Sequence, residues 1–355
     1  MSVRVLLLCF VMSGPASSPA SAQGFAGLGA QVEGFAIPTP GYQFAFPADH
    51  GAHTDFRIEW WYLTANLKDA DGVDYGVQWT LFRTALAPGD KAGWSSPQLW
   101  MGHAALTSGS EHFVAERLAR GGIGQAGVTP APFAAWIDDW EMTSEAQVGA
   151  DVLSALSLGA SGSGFSYELA LKADKPIVLH GKNGYSVKSE QGQASRYYSQ
   201  PFYTAAGSLK IGDRTIAVTG RAWLDREWSS QPLASDQSGW DWFSLHFDSG
   251  DKMMAFRLRG GGGAFTSASW ITAEGDVTPM GSGDLVLTPL DSAIVAGRRL
   301  PVAWRIDVPL RGVSVTTRAL NKQAWMATSV PYWEGPVSVA GSHPGRGYLE
   351  MTGYE

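Results

Sequence analysis

The run Arg221-Ala222-Trp223-Leu224-Asp225-Arg226-Glu227-Trp228 holds the densest set of groups able to move a proton. Successive side chains of an extended strand alternate, so Trp223, Asp225 and Glu227 share one face while Leu224, Arg226 and Trp228 share the other. Two carboxylates at i and i+2 stand about 7 Å apart along such a strand. If their face lines a dry cavity walled by indoles, desolvation and mutual repulsion raise at least one pKa and leave a neutral acid. Asp225 is then the candidate proton donor and Glu227 its polar partner. The alternative is a structural ion-pair network with Arg221, Arg257 or Arg259.

A second constellation is His53-Thr54-Asp55-Phe56 followed by Glu59-Trp60-Trp61-Tyr62, where again an acid stands beside an indole. His50, His53 and Asp55 lack a defined third or fourth ligand, so no metal is expected there. A histidine hydrogen-bonded to an aspartate, locking a turn, is the simpler reading. The C-terminal half adds Trp240-Asp241-Trp242, Trp270 and Tyr332-Trp333-Glu334 to a total of 15 Trp, which serve as core plugs or as walls for a long apolar or polycyclic ligand. The candidate ligand-binding set is Glu59, Trp60, Trp61, Trp223, Trp228, Trp240, Trp242, Trp270 and Trp333.

Other motifs lead nowhere. Gly122-Ile123-Gly124-Gln125-Ala126-Gly127 runs into Thr129-Pro130-Ala131-Pro132 instead of a helix, which removes a dinucleotide site. No serine sits in a Gly-x-Ser-x-Gly elbow, and Gly260 to Gly263 lack the Lys-Ser/Thr of a phosphate loop. No cofactor is expected.

The elements that must position these groups are strands. Val73, Tyr75, Val77, Trp79 and Leu81 alternate with polar or small residues, as do Phe165, Tyr167, Leu169 and Leu171, which predicts half-buried antiparallel strands. Turn signals such as Asp71-Gly72, Gly212-Asp213 and Ser249-Gly250 recur between short runs, and no long amphipathic helix is visible. The class is all-β. The segment from Glu59 to Leu67 aligns without gaps on Gly239 to Phe247, and each continues through a turn to Phe-Arg, at Phe82-Arg83 and Phe256-Arg257. Two related barrels explain this repeat.

The expected division is a signal peptide at 1–22, an extended leader at 23–46, a first barrel at 47–232 and a second at 233–355. Arg4, the apolar run Val5 to Met12 and the small residues ending Ala20-Ser21-Ala22 have the order of a secretory signal, which predicts a periplasmic or secreted product. Beyond it no apolar run reaches the roughly 18 to 20 residues needed to cross a bilayer. A formal charge of −7 without any Lys/Arg cluster argues against nucleic acid as partner.

Together, His53-x-Asp55-Phe56, Glu59-Trp60-Trp61-Tyr62, Tyr197-Tyr198-Ser199, the run Gly220 to Ser230, Gly239-Trp240-Asp241-Trp242 and Tyr332-Trp333-Glu334-Gly335 resemble the AttH-type lipocalin-like family related to carotenoid 1,2-hydratase, or hydroxyneurosporene synthase. The resemblance spans roughly residue 45 to the C-terminus. It implies two consecutive lipocalin-like (calycin) antiparallel β-barrels with a pocket near their junction. It also implies hydration of a terminal carotenoid double bond, with Asp225 and Trp228 matching the segment implicated. Between those two the hydratase branch carries His and Asn, where this chain has Arg226 and Glu227.

Three functions follow. The first is a secreted acid–base enzyme that hydrates or isomerises an apolar polyene, terpenoid or lipid. The second is a non-catalytic lipid carrier working with an inner-membrane ABC transporter. The third is a secreted hydrolase in which Asp225 or Glu227 activates water.

Overall fold

The computed structural model describes residues 32–261 and 263–354. The expected signal peptide and the first part of the leader lie outside the described residues. Among the described residues, apart from three single-turn 3-10 segments at Ala48–His50, Gly93–Ser95 and Pro309–Arg311, the regular structure is all strand. No helix among the described residues is long and apolar enough to cross a membrane.

The strands form two antiparallel sheets of thirteen and ten members. In the N-terminal sheet the first strand, Ile58–Lys68, pairs on one side with Asp74–Ala85 and on the other with Arg214–Ser229, the strand that closes the sheet. In the C-terminal sheet the first strand, Gln237–Phe247, is flanked in the same way by Lys252–Gly260 and by the closing strand Gly345–Met351. The first sheet curls into a nearly closed barrel and the second into a half-barrel, so the expectation of two consecutive barrels holds. The first strands coincide with the two halves of the sequence repeat. The Phe-Arg match needs a correction: Glu59 pairs with Arg83 while its equivalent Gly239 pairs with Arg259, so Leu258-Arg259, and not Phe256-Arg257, is the counterpart of Phe82-Arg83.

Each sheet wraps its own core. Trp61, Trp79, Trp140, Leu224 and Trp228 fill the first barrel. Phe243, Trp270, Trp304, Trp333 and Leu349 fill the second. A third apolar cluster, including Tyr62, Tyr197, Trp223, Trp242, Phe256 and Tyr348, lies where the outer faces of the two barrels meet.

That contact explains why the expected alternation appears in one strand and not in another. Phe165–Ala173 alternates buried and exposed residues because its outer face meets solvent. Asp74–Ala85 is buried on both faces from Tyr75 to Leu81, because the second barrel covers its outside. At Gly76 the approach is so close that a Cβ would lie 2.5 Å from Pro336 Cγ and 2.6 Å from the Tyr348 hydroxyl. Residues ahead of the first strand cross the end of the first barrel, where Phe44 meets Tyr198 and Trp228 edge to face.

Candidate functional site

A cavity of about 380 Å³ opens between the barrels. Its walls come from Trp60, Tyr62 and Phe82 of the first sheet and from Trp240, Trp242, Phe256 and Leu258 of the second, with Leu99 and the exposed Leu118 at its rim. Residues on alternate positions of the two first strands supply the indoles, because one face of each strand packs inside its own barrel and the other turns to the partner barrel. The carboxyls of Asp225, Glu227 and Glu350 also line this space.

Asp225 is buried and accepts from three donors. The Tyr197 hydroxyl donates to Oδ2 at 2.6 Å, the Trp223 indole to Oδ1 at 2.6 Å, and the Ser199 hydroxyl also to Oδ1. Burial nevertheless dominates: it pushes the acid from 3.8 up to about 7, against the three donors and with help from the charge of Glu227. A group poised there can deliver a proton at neutral pH. Trp242 reaches over from the second barrel and donates its indole N–H to Tyr197 at 3.0 Å, so both barrels complete the hydrogen bonding around the acid.

Glu227 forms a 2.7 Å ion pair with Lys188 and accepts from Ser195. The Lys188 ammonium also lies 4.3 Å from the Phe256 ring centroid and 4.8 Å from that of Tyr197, which suits a cation held against aromatic faces. Glu350 is raised to about 7, mainly by burial and further by the charges of Asp225 and Glu227, although the Trp240 indole donates to it. Glu334, behind the cavity wall, is fully buried and held well above the usual carboxylate range by burial and by Glu350. The Tyr62 hydroxyl donates to it. The His103 imidazole links the Tyr332 hydroxyl, 3.0 Å from Nδ1, to Glu116, 3.2 Å from Nε2.

The sequence-derived candidates divide among three places. Asp225, Glu227, Trp60, Trp240 and Trp242 line the cavity, and Trp223 stands behind Asp225 as its donor. Glu59, Trp61 and Trp228 do not line it; they turn into the first barrel. Trp270 and Trp333 are likewise interior residues of the second barrel. The reason is strand parity: Glu59 and Trp61 alternate with Trp60 and Tyr62, and only the latter pair faces the partner.

Glu59 serves the first barrel as a counter-ion. Its burial would raise its pKa, but Arg83, the His53 hydrogen bond and Arg226 outweigh this and hold it far below the ordinary range. Arg226 Nη2 lies 3.2 Å from Glu59, and its guanidinium carbon sits 3.8 Å from the Trp61 centroid. His53 stacks on Trp228 at 3.8 Å and bridges Glu59 at 3.1 Å and Asp49 at 3.2 Å. The expected turn-locking pair therefore exists with Asp49, not Asp55.

Sequence reasoning did not single out Glu350, Lys188 or His103 for this cavity, and it met Tyr197 and Tyr332 in motifs without placing either in the candidate ligand-binding set. Glu350 was within reach, since extending the internal repeat from the first strands to the closing strands sets it opposite Trp242 as Asp225 is set opposite Tyr62.

The family model described as AttH-like matches residues 37–354. An AttH crystal structure from Nitrosomonas europaea is 32% identical, with a TM-score of 0.79, and the match covers 90% of this chain and 99% of that one. Kievitone hydratase from Nectria haematococca is 16% identical with a TM-score of 0.67, over 91% of this chain and 97% of that one. CghA, solved with Sch210972, is 11% identical with a TM-score of 0.54, over 84% and 89%. The last two likenesses are likenesses of fold. No curated protein matches the sequence. The match over nearly all of the described chain and the 32% identity to a solved AttH protein place this chain in the AttH-like family.

Proposed function

We propose that this chain is an exported acid–base enzyme that adds water across a carbon–carbon double bond of an apolar polyene, terpenoid or lipid held between the two barrels. The observation that carries the reading is Asp225: a carboxyl buried on an aromatic cavity wall with its pKa near neutrality. Such an acid is protonated often enough to act, and strong enough once its charge is stabilised by three donors. The name of the kievitone hydratase that shares the fold agrees with hydration as the reaction type.

In the reaction, the alkene π pair takes the Asp225 proton, forming a C–H bond and leaving a carboxylate and a carbocation. Trp60 and Trp242, which line the cavity, supply aromatic rings able to stabilise that cation. A water oxygen then forms the C–O bond and releases one proton, so the sum is alkene plus water to alcohol. Deprotonation of the cation at the neighbouring carbon instead would isomerise the double bond on the same groups.

The test combines extraction of ligand from protein purified from its own host with incubation of that ligand in heavy-oxygen water. Incorporation of the label by wild type, with a loss of about 10²- to 10⁴-fold in Asp225→Asn, is the expected result. Ligand recovered unchanged from wild type would replace hydration with carriage, and full activity in Asp225→Asn would remove the acid from its role.

A further inference from the structure

The duplication places equivalent groups on both sides of one cavity. Tyr62 and Trp242 occupy corresponding positions in the two first strands, and their rings meet edge to face with centroids 5.2 Å apart. Opposite Tyr62 on the first closing strand stands Asp225; opposite Trp242 on the second closing strand stands Glu350. Both carboxyls are buried, both line the cavity, and each accepts an indole N–H, from Trp223 and Trp240 respectively. Their surroundings then differ. Asp225 has two hydroxyl donors besides its indole. Glu350 has instead another acid, Glu334, directly opposite it on the neighbouring strand. Two acids at equivalent positions in unlike settings are the arrangement from which an acid and a base are made.

We propose that Glu350 is the second catalytic carboxyl of this site, accepting the proton released by the attacking water while Asp225 delivers its proton to the alkene carbon. The role rests on the hydration reading and deepens it. The atoms balance: Asp225 loses one proton to carbon, water gives its oxygen to the cation and one proton to Glu350, and transfer from Glu350 back to Asp225 restores the start. The order is favoured electrostatically. The charge of ionised Asp225 raises the proton affinity of Glu350, so Glu350 becomes the better base once Asp225 has given up its proton.

The two half-reactions can be read separately with farnesol and lycopene as probes. Deuterium exchange into recovered alkene from deuterium oxide reports protonation and its reversal. Incorporation from heavy-oxygen water reports C–O bond formation. Asp225→Asn is expected to lose both signals. Glu350→Gln is expected to keep deuterium exchange, which also shows that it is folded, and to lose oxygen incorporation by about 10²-fold or more. Retention of both signals in Glu350→Gln overturns the role of Glu350 and leaves the hydration reading intact, whereas loss of both assigns Glu350 to protonation and overturns the division of labour. A wild-type protein inert toward both probes overturns the reading and the role with it.

Discussion

Tyr197 donates to Asp225 at 2.6 Å while accepting from Trp242 at 3.0 Å, so one phenol joins the acid of the first barrel to an indole of the second. The acid is thus a property of the pair of barrels. Its burial, and hence its raised pKa, depends on the second barrel covering the outer face of the first.

That dependence has a stability signature. A carboxyl raised from 3.8 to about 7 costs nothing to fold below its unfolded pKa, and its penalty grows as pH rises to about 7 and is constant above. Asp225→Asn removes this titration at about 1.4 kcal/mol per pKa unit. The melting temperature of the variant relative to wild type should therefore climb between pH 4 and 7 and then level off. A difference independent of pH, measured by scanning calorimetry, would contradict a raised acid at this position.

Tyr197→Phe removes a donor that favours the charged form of Asp225, so the acid should move upward and the loss of activity at alkaline pH should shift to higher pH by up to about one unit. The same change strips Trp242 Nε1 of its acceptor, at a cost of about 1 to 3 kcal/mol. The pH–rate profile and a denaturant titration separate the two effects. An unmoved profile with lowered stability would give Tyr197 a purely structural role.

How much of this could be read in advance follows from strand parity. The shared face of Trp223, Asp225 and Glu227 was legible because alternation along an extended chain needs no tertiary information. Which face turns outward was not, because Ile58–Lys68 is buried on both sides from Trp61 to Leu67 and its pattern of apolar residues does not alternate. Glu59 and Trp61, which the motif groups with the ligand-binding set, are turned into the first barrel and away from the cavity. Lys188 and Tyr197 enter the cavity from chain segments remote from the motif, and no spacing rule reaches across a sheet.

Lys188 and Glu227 give a double-mutant test of the cavity wall. Lys188→Met leaves a buried carboxylate without its cation and should cost about 3 to 5 kcal/mol. Adding Glu227→Leu should restore much of this, because two apolar residues of similar volume replace the pair. Additive losses in urea titrations would show that the two charges are not coupled.

Gly76 reports on the seam. In Gly76→Ala the new methyl would strike the Pro336 ring and the Tyr348 hydroxyl, and overpacking of this kind costs about 1 to 3 kcal/mol. The strain falls between the barrels and not within either core, so the barrels should uncouple before they melt. Calorimetry should show one transition in wild type and a broadened or split one in the variant. An unchanged, single transition would mean that the seam yields without cost.

Glu59 separates core chemistry from cavity chemistry. It is the shared counter-ion of Arg83 and Arg226 and the partner of His53, and the two guanidinium groups also donate to the backbone carbonyls of Gly51, His53 and Phe56. Glu59→Ala leaves two buried guanidinium groups uncompensated, and the loss should be at least the 3 to 5 kcal/mol of a broken buried pair. Its pH dependence should also run opposite to that of Asp225. A depressed carboxyl contributes stability above its unfolded pKa, and that contribution fades as acid titrates it, so wild type and variant should converge toward low pH. Because Glu59 does not touch the cavity, the folded fraction of the variant should bind extracted ligand with wild-type affinity, read from Trp fluorescence. Weakened binding at full folding would return Glu59 to the ligand site and require the first barrel to open inward.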